Sequence, residues 1–341
     1  MSERQWNVAV VGATGLVGET LCSVLAERRF PVGRLHALAS EHSRGKRVAF
    51  GNRHVVVEDL STFDFADVDI ALFSAGAAVS REHAPRATAA GAIVIDNTSA
   101  FRYDHDIPLV VPEVNPQALA QADERRIVAN PNCSTIQMMV ALQPLHALAG
   151  LRRIDVATYQ SVSGAGRAGI EQLAGQTANL LNGRDLELGE GEPRIAFNVW
   201  PQIDVFEDNG YTREEMKMVW ESQKILGDDS IVINPTAVRV PVFYAHSEAV
   251  SAEFEREISV EQARAALENA PGVTVLDEAV HGGYPTAAIS GTGTDPVFVG
   301  RLRRWLDRPN GLNMWVVADN VRKGAALNAV QIAELLVKDF L

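Results

Sequence analysis

Apolar positions in the first hundred or so residues fall into short runs separated by amphipathic stretches. Residues 7–11, 35–39, 70–74, 93–96 and 127–129 are nearly continuous in aliphatic side chains, the pattern of strands buried on both faces of a parallel sheet. Apolar residues at helical spacing fill the gaps at about 15–28 and 79–90. Strand and helix in alternation predict an α/β domain, doubly wound in the manner of a nucleotide-binding (Rossmann-type) sheet.

The rhythm changes after residue 132. A helix is expected from Cys133, with Pro144 kinking or ending it about three turns later. A strand at 154–162, a helix at 170–181, a polar, acidic loop at 184–193 and a helix at 214–226 with Thr212 as its N-cap follow. Strands are then expected at 231–233, 237–242, 247–255, 287–290, 297–303 and 312–317. Helices do not regularly separate these strands, which predicts an α+β second domain. Residues 321–341 return to helical spacing and are expected to pack back on the first domain. The predicted domains are therefore 1–132 completed by 319–341, and 133–318. The chain shows no internal repeats or low-complexity tracts.

Composition narrows the class. A length of 341 residues accommodates two cores, and 47% hydrophobic with 22% charged residues is an ordinary globular balance. No apolar run approaches the ~20 residues that span a bilayer, and the opening Met1-Ser2-Glu3-Arg4-Gln5-Trp6 lacks the apolar core of a signal peptide. Two cysteines, Cys22 and Cys133, fit a reducing cytoplasm better than a disulfide framework. A net charge of −12 argues against nucleic acid as a partner. It also repels anionic substrates, so any such ligand needs local cations, which draws attention to Arg102, Lys217 and Arg239.

The strand Val8-Ala9-Val10-Val11 runs directly into Gly12-Ala13-Thr14-Gly15-Leu16-Val17-Gly18. Closely spaced glycines between a strand and a helix let the backbone approach a pyrophosphate, and the helix N-terminus adds N–H donors. The G-x-x-G-x-x-G spacing departs from the usual dinucleotide fingerprint, and an ordinary strand-to-helix turn is the alternative. Ser40 ends the second strand where NAD-preferring sites usually carry an acid, and basic groups including Arg44 and Lys46 crowd the loop that follows. NADP is thus the expected cofactor, with Glu41 as a contrary charge and a solvated loop as the alternative.

Asn130-Pro131-Asn132-Cys133-Ser134-Thr135 places a thiol at the mouth of a helix, where unpaired N–H groups and partial positive charge favour a thiolate. A buried structural cysteine beside an Asn-rich turn is the competing reading. A thiolate attacking a carbonyl also needs a proton-transfer partner and anion binders. Among eight histidines, His246 stands out, since Arg239 to Ser247 reads as a strand with an arginine, a proline break and then this histidine. Tyr159 to Gly166 ends a strand in a small-residue loop suited to close ligand approach. Asn97 to Arg102 follows the carboxyl end of a strand, where doubly wound sheets bind ligands. Glu214 and Lys217 lie one turn apart, which by itself suggests a solvent-exposed ion pair.

Seen together and in order, Val10 to Gly15, Asp96-Asn97-Thr98-Ser99, Pro112-Glu113-Val114-Asn115, Asn130 to Thr135, Arg239-Val240-Pro241-Val242, Ala245-His246-Ser247 and Asp319 to Ala326 resemble the aspartate-β-semialdehyde dehydrogenase family. The likeness extends over essentially the whole chain. It implies NADPH-dependent reductive dephosphorylation of L-aspartyl-4-phosphate to L-aspartate-4-semialdehyde, on the route to lysine, diaminopimelate, threonine and methionine, by a homodimer paired through its second domain. It further implies Cys133 as nucleophile, His246 as acid/base residue and Gln160 as an orienting group. Arg239 would pair with the substrate α-carboxylate and Glu214 with its ammonium, while Arg102, Lys217 and Asn132 would form the phosphate site. The backbone from Gly12 through Ala13, Thr14, Gly15, Leu16 and Val17, with Ser163, Gly164 and Asn320, would hold the dinucleotide. No metal is implied. Where many relatives carry an arginine near the 2′-phosphate this loop has His42, and Arg44 would take that part with Ser40.

Three rivals are set beside this. N-acetyl-γ-glutamyl-phosphate reductase shares the thioester logic, but its cysteine turn usually carries glycine and tyrosine, and an acetylated substrate offers no ammonium to Glu214. A non-catalytic paralogue would keep the scaffold without needing the thiol. A hydroxy-acid dehydrogenase on the same nucleotide domain would give Cys133 no covalent role.

Overall fold

The computed structural model describes residues 4–189 and 191–340; Met1-Ser2-Glu3, Glu190 of the acidic loop and Leu341 of the last expected helix lie outside the described residues. The chain divides into two compact units, Met1–Asn132 with Gly324–Leu341, and Cys133–Lys323.

The first unit opens with β1 (Trp6–Val11), α1 (Leu16–Glu27), β2 (Val32–Ala39), β3 (Arg47–Phe50) and β4 (Arg53–Asp59). It continues through β5 (Ile70–Phe73), α2 (Ala77–Ala89), β6 (Ile93–Asp96), α3 (Ala122–Arg125) and β7 (Ile127–Ala129). The sheet order is β3-β4-β2-β1-β5-β6-β7, parallel except for the β3–β4 pair. Val8, Val10, Ile70, Leu72 and Ile95 are essentially solvent-free, as continuous apolar runs require when both faces are covered. Sequence order reverses across β1, so the loops after β1 and β5 flank the position where such sheets hold nucleotides.

The β3–β4 hairpin, not among the expected strands, follows the short turn after Ser40. Its alternation is masked because Arg47 and His54 lie on the exposed side and Arg53 extends over the Phe50 ring, while Val48, Phe50 and Val57 face the core. Gly51 at φ +55° makes the tight connection.

The second unit begins with α4 (Cys133–Ala149), β8 (Leu151–Gln160), α5 (Gly166–Leu181) and α6 (Arg213–Leu226). After these come β9 (Val232–Arg239), β10 (His246–Phe254), α7 (Val260–Glu268), β11 (Val273–Val275), β12 (Val297–Arg304) and β13 (Gly311–Ala318). One mixed sheet, β11-β12-β13-β10-β8-β9, carries α4 against its strands. The α+β expectation holds here. The final helix, α8 (Leu327–Asp339), returns to the first unit, where Val330, Ile332, Ala333 and Leu336 share a core with Leu21, Cys22 and Leu25 of α1. Each such aliphatic side chain contributes on the order of 1.5–3 kcal/mol when fully buried.

Several expectations need correction. Pro144 does not end α4, which continues to Ala149 because Leu142, Leu145 and Ala149 stay packed on either side of the lost hydrogen bond. Residues 287–290 are not a strand. They form a wide helical turn, Ala287–Gly291, in which Ser290 Oγ accepts the Thr286 N–H (3.1 Å) and Ile289 is exposed. The two short strands expected at 231–242 are one, with Pro235 tolerated because β9 is an edge. The sequence reading also passed over α7, although Ser259 and Gln262 form a capping box there. Thr212 caps α6 as expected, in a reciprocal pair with Glu215.

Candidate active site

Three strand ends build the site of the second unit. Gln160 and Arg239 are register partners at the ends of the parallel strands β8 and β9. His246 starts β10, whose next residue pairs with Tyr159 at the same end of β8. The sequence places these residues far apart; the sheet brings them together.

Cys133 is the first residue of α4 and is partly exposed. The first-turn N–H groups of a helix lack intrahelical carbonyls, so this position favours a thiolate. Cys22 is the opposite case: burial, reinforced by Glu19, pushes its thiol up to about 12 and leaves it inert.

Gln160 Nε2 donates to Ser134 Oγ (2.9 Å), beside the thiol, and to Glu214 Oε1 (3.2 Å). Glu214 Oε2 accepts from Lys217 Nζ at 2.9 Å, and the same ammonium donates to Asp204 Oδ2 at 2.8 Å. The Glu214–Lys217 pair is not the solvent-exposed one its spacing suggested, for the two side chains are only 7% and 13% exposed. Burial works against the Lys217 ammonium, but Glu214 and Asp204 outweigh it and hold its pKa above the ordinary lysine range.

Arg239 Nη1 donates to the Ser161 carbonyl at 2.6 Å. Burial draws its pKa down, opposed by the charges of Glu214 and Cys133, so the guanidinium lies within electrostatic reach of the sulfur. Gly164 packs against it: a Cβ there would stand 2.9 Å from Arg239 Nη1 and 3.4 Å from the His246 ring.

His246 is fully buried. Its Nδ1 accepts the Ser161 backbone N–H at 3.1 Å, and the Ser161 hydroxyl lies 3.0 Å from the same nitrogen. A backbone N–H can only donate, so the neutral ring carries its proton on Nε2, an atom with no hydrogen-bond partner among the described residues. Burial first, then Arg239, lowers its pKa to about 3, against a weaker pull from Glu214.

Asn320 Oδ1 accepts from Ser161 Oγ (3.1 Å), Ser163 Oγ (3.0 Å) and the Ala245 N–H (3.1 Å). The backbone donor fixes which end of the amide is oxygen. Ala245 reaches this bond from a left-handed conformation, φ +66°, an uncommon state for a non-glycine residue and one that clusters at functional sites.

The first unit presents the dinucleotide cradle. Gly12 has φ +86°, and a Cβ there would lie 2.8 Å from Ser74 O; a Cβ on Gly18 would lie 2.1 Å from Gly12 O. Ala13 is buried, whereas Thr14, Gly15, Leu16 and Val17 keep exposure as the chain turns into α1. These contacts keep the turn tight, and the exposed Gly15 leaves the helix N-terminus open to a pyrophosphate, so the residues fit the cofactor. Ser40 and Arg44 are exposed beyond β2, with Arg44 acting electrostatically on Asp59. Arg102 is 6% exposed and donates through Nη2 to Asn97 O (2.8 Å); Asn132 is buried.

Sequence reasoning missed Ser161, Ser134 and Asp204. Ser161 lay inside the small-residue loop but had no role until the strand ends met. Asp204 carried no signal at all.

The comparisons with known proteins cover both units. Residues 7–122 match the family model described as semialdehyde dehydrogenase, NAD binding domain, and residues 142–323 match semialdehyde dehydrogenase, dimerisation domain. The chain is 58% identical over 338 residues to an aspartate-semialdehyde dehydrogenase of Legionella pneumophila, covering 99% of this chain and 97% of that one. It is also 58% identical over 337 residues to aspartate-semialdehyde dehydrogenase 2 of Vibrio cholerae, with 99% of each covered. The crystal structure of aspartate semialdehyde dehydrogenase II from Vibrio cholerae complexed with ASA superposes with a TM-score of 0.97 at 57% identity, over 99% of this chain and 100% of that one. The chain belongs to the aspartate-semialdehyde dehydrogenase family.

Proposed function

We propose that this protein catalyses the NADPH-dependent reductive dephosphorylation of L-aspartyl-4-phosphate to L-aspartate-4-semialdehyde through a thioester on Cys133. The observation that carries this reading is the convergence of Gln160, Glu214 and Arg239 beside the mouth of α4. Gln160 bonds both the neighbour of Cys133 and Glu214, and Arg239 responds to both Glu214 and Cys133. A guanidinium suits the α-carboxylate and a buried carboxylate suits the ammonium. N-acetyl-γ-glutamyl-phosphate reductase is disfavoured because its substrate gives Glu214 no cation.

The Cys133 thiolate attacks the acyl carbon, a C–S bond forms, and phosphate leaves with the electrons of the broken C–O bond. Arg102, Lys217 and Asn132 are the residues we assign to the departing phosphate. The glycine cradle of the first unit is the element we assign to the dinucleotide, Ser163, Gly164 and Asn320 are assigned to it by resemblance to the family, and NADPH would supply the hydride when bound. Gln160 keeps the acyl group beside the sulfur. His246 holds a proton at Nε2 and shares it with the thiohemiacetal oxygen, until collapse returns the sulfur's electron pair and frees the aldehyde. With Nδ1 occupied by a donor and a pKa near 3, His246 does not strip the thiol at neutral pH. The helix terminus and Arg239 stabilise the thiolate instead.

We assign NADP rather than NAD from Ser40 and Arg44, which offer no carboxylate to a ribose hydroxyl and one cation to a 2′-phosphate. We also assign a homodimer. On the sheet face opposite His246, Tyr159, Ser247, Ala249 and Trp315 help line an apolar concavity of about 610 Å³, suited to a second copy. No helix among the described residues is long and apolar enough to cross a membrane; with two cysteines not joined in a disulfide, a cytoplasmic site of action fits. The test is phosphate-dependent reduction of NADP with aspartate semialdehyde, beside NAD and the glutamate analogue. Turnover with the glutamate analogue alone, or without phosphate, contradicts the proposal.

A further inference from the structure

Lys217, which we read as a phosphate ligand, already spends two of its three N–H donors on carboxylates, Glu214 Oε2 at 2.9 Å and Asp204 Oδ2 at 2.8 Å. One ammonium held between two carboxylates has no charge to spare for a further anion, and the two carboxylates beside it oppose the group it is meant to bind.

The two carboxylates are not equivalent. Glu214 lies on a helix, is buried, and is tied through its other oxygen to Gln160 at 3.2 Å. It is fixed, and its charge is needed for the substrate ammonium. Asp204 stands on the loop before α6 with its side chain 33% exposed, and its second oxygen accepts the N–H of the adjacent Val205, at 2.9 Å. Its backbone is left-handed, φ +68°, so the ion pair is held against a conformational preference. Asp204 is the partner that can leave.

We propose that Asp204 is an internal stand-in for phosphate: it occupies Lys217 in the free enzyme, and a phosphate oxygen takes its position on the ammonium when substrate or inorganic phosphate binds. The inference rests on the reading of Lys217 as a phosphate ligand. Exchange of one charge-assisted bond for another keeps the lysine aimed throughout and spares a bare buried cation. It also sets a threshold. A weakly accepting monoanion does not displace a carboxylate at hydrogen-bond distance, whereas a phosphate dianion brings more charge and further oxygens for the other cations of the site. Asp204 is thus a specificity-determining residue.

The test uses the full chain with NADP and aspartate semialdehyde, varying inorganic phosphate. Asp204→Asn keeps the bond to Val205 and removes the competing charge. Asp204→Gly removes the side chain and suits the left-handed backbone, so the test survives if the first variant folds poorly. Both should lower the KM for phosphate by about two- to fivefold, the range of a partly exposed ion pair, with the KM for semialdehyde unchanged within about twofold. Chloride should inhibit both variants more strongly than the parent. Lys217→Met is the control arm and should raise the KM for phosphate. An unchanged or raised phosphate KM in both Asp204 variants, with Lys217→Met impaired, overturns the stand-in role alone. If Lys217→Met leaves the phosphate KM untouched, the phosphate reading of Lys217 fails and the stand-in role falls with it.

Discussion

The Ser161 backbone N–H points at His246 Nδ1 from 3.1 Å, and this contact decides what the histidine can do. It fixes the neutral tautomer with the proton on Nε2 and makes imidazolium costly, because a second proton would set two donors facing each other. Nitrogen NMR of the histidine rings should show a neutral His246 protonated at Nε2 from pH 8 down to about 5. A ring protonated at Nδ1, or one that titrates near 6.5, contradicts the assignment.

The same depressed pKa predicts a stability profile. Between the unfolded-state value near 6.5 and the folded value of about 3, the unfolded chain takes up a proton that the fold refuses. Stability is therefore full above pH 6.5 and falls as pH drops, by about 1.4 kcal/mol for each unit of suppressed protonation. His246→Gln should flatten this acid slope in thermal melts. A variant that loses stability in acid as steeply as the parent would show that His246 is not the group responsible.

Glu248, two residues along β10, is a buried carboxyl whose pKa burial raises well above the ordinary range; the Gln137 amide eases this but does not reach hydrogen-bond geometry. Here the sign reverses. The fold keeps a proton that the unfolded chain releases above about pH 4.3, so stability declines as pH rises. Glu248→Gln keeps the shape without the ionisation and should gain in melting temperature over the parent between pH 6 and 9, with the gain growing with pH. A constant difference across that range defeats the claim.

Gly164→Ala would place a methyl 2.9 Å from Arg239 Nη1, whose guanidinium is pinned by the Ser161 carbonyl. The KM for semialdehyde should rise on the order of tenfold, ~1.4 kcal/mol. An unchanged KM would remove Arg239 from the substrate carboxylate.

Much of this was legible in the sequence, for physical reasons that differ by element. The parallel strands were readable because burial on both faces leaves an uninterrupted aliphatic run, and α6 because Thr212 caps it. The β3–β4 hairpin was not, since its exposed face is charged and hides the alternation. The turn at Ala287 was misread because the Ser290 hydroxyl, accepting the Thr286 N–H, gives the backbone a local alternative to the ladder its apolar residues suggest. In the site, Cys133 and Arg239 were marked by their motifs. His246 was marked as a residue but not as a chemical state, because its tautomer depends on a backbone N–H 85 positions away. Asp204 could not have been found, since its partner is met only through the fold.

The most direct test of the account is covalent. The enzyme should be mixed with aspartate semialdehyde and NADP without phosphate, quenched in acid and digested for mass spectrometry. The peptide containing Cys133 should carry one aspartyl acyl group as a thioester, lost on addition of phosphate before the quench and absent from Cys133→Ser. NADP reduction with no adduct on Cys133, or undiminished turnover by Cys133→Ser, would contradict the central claim.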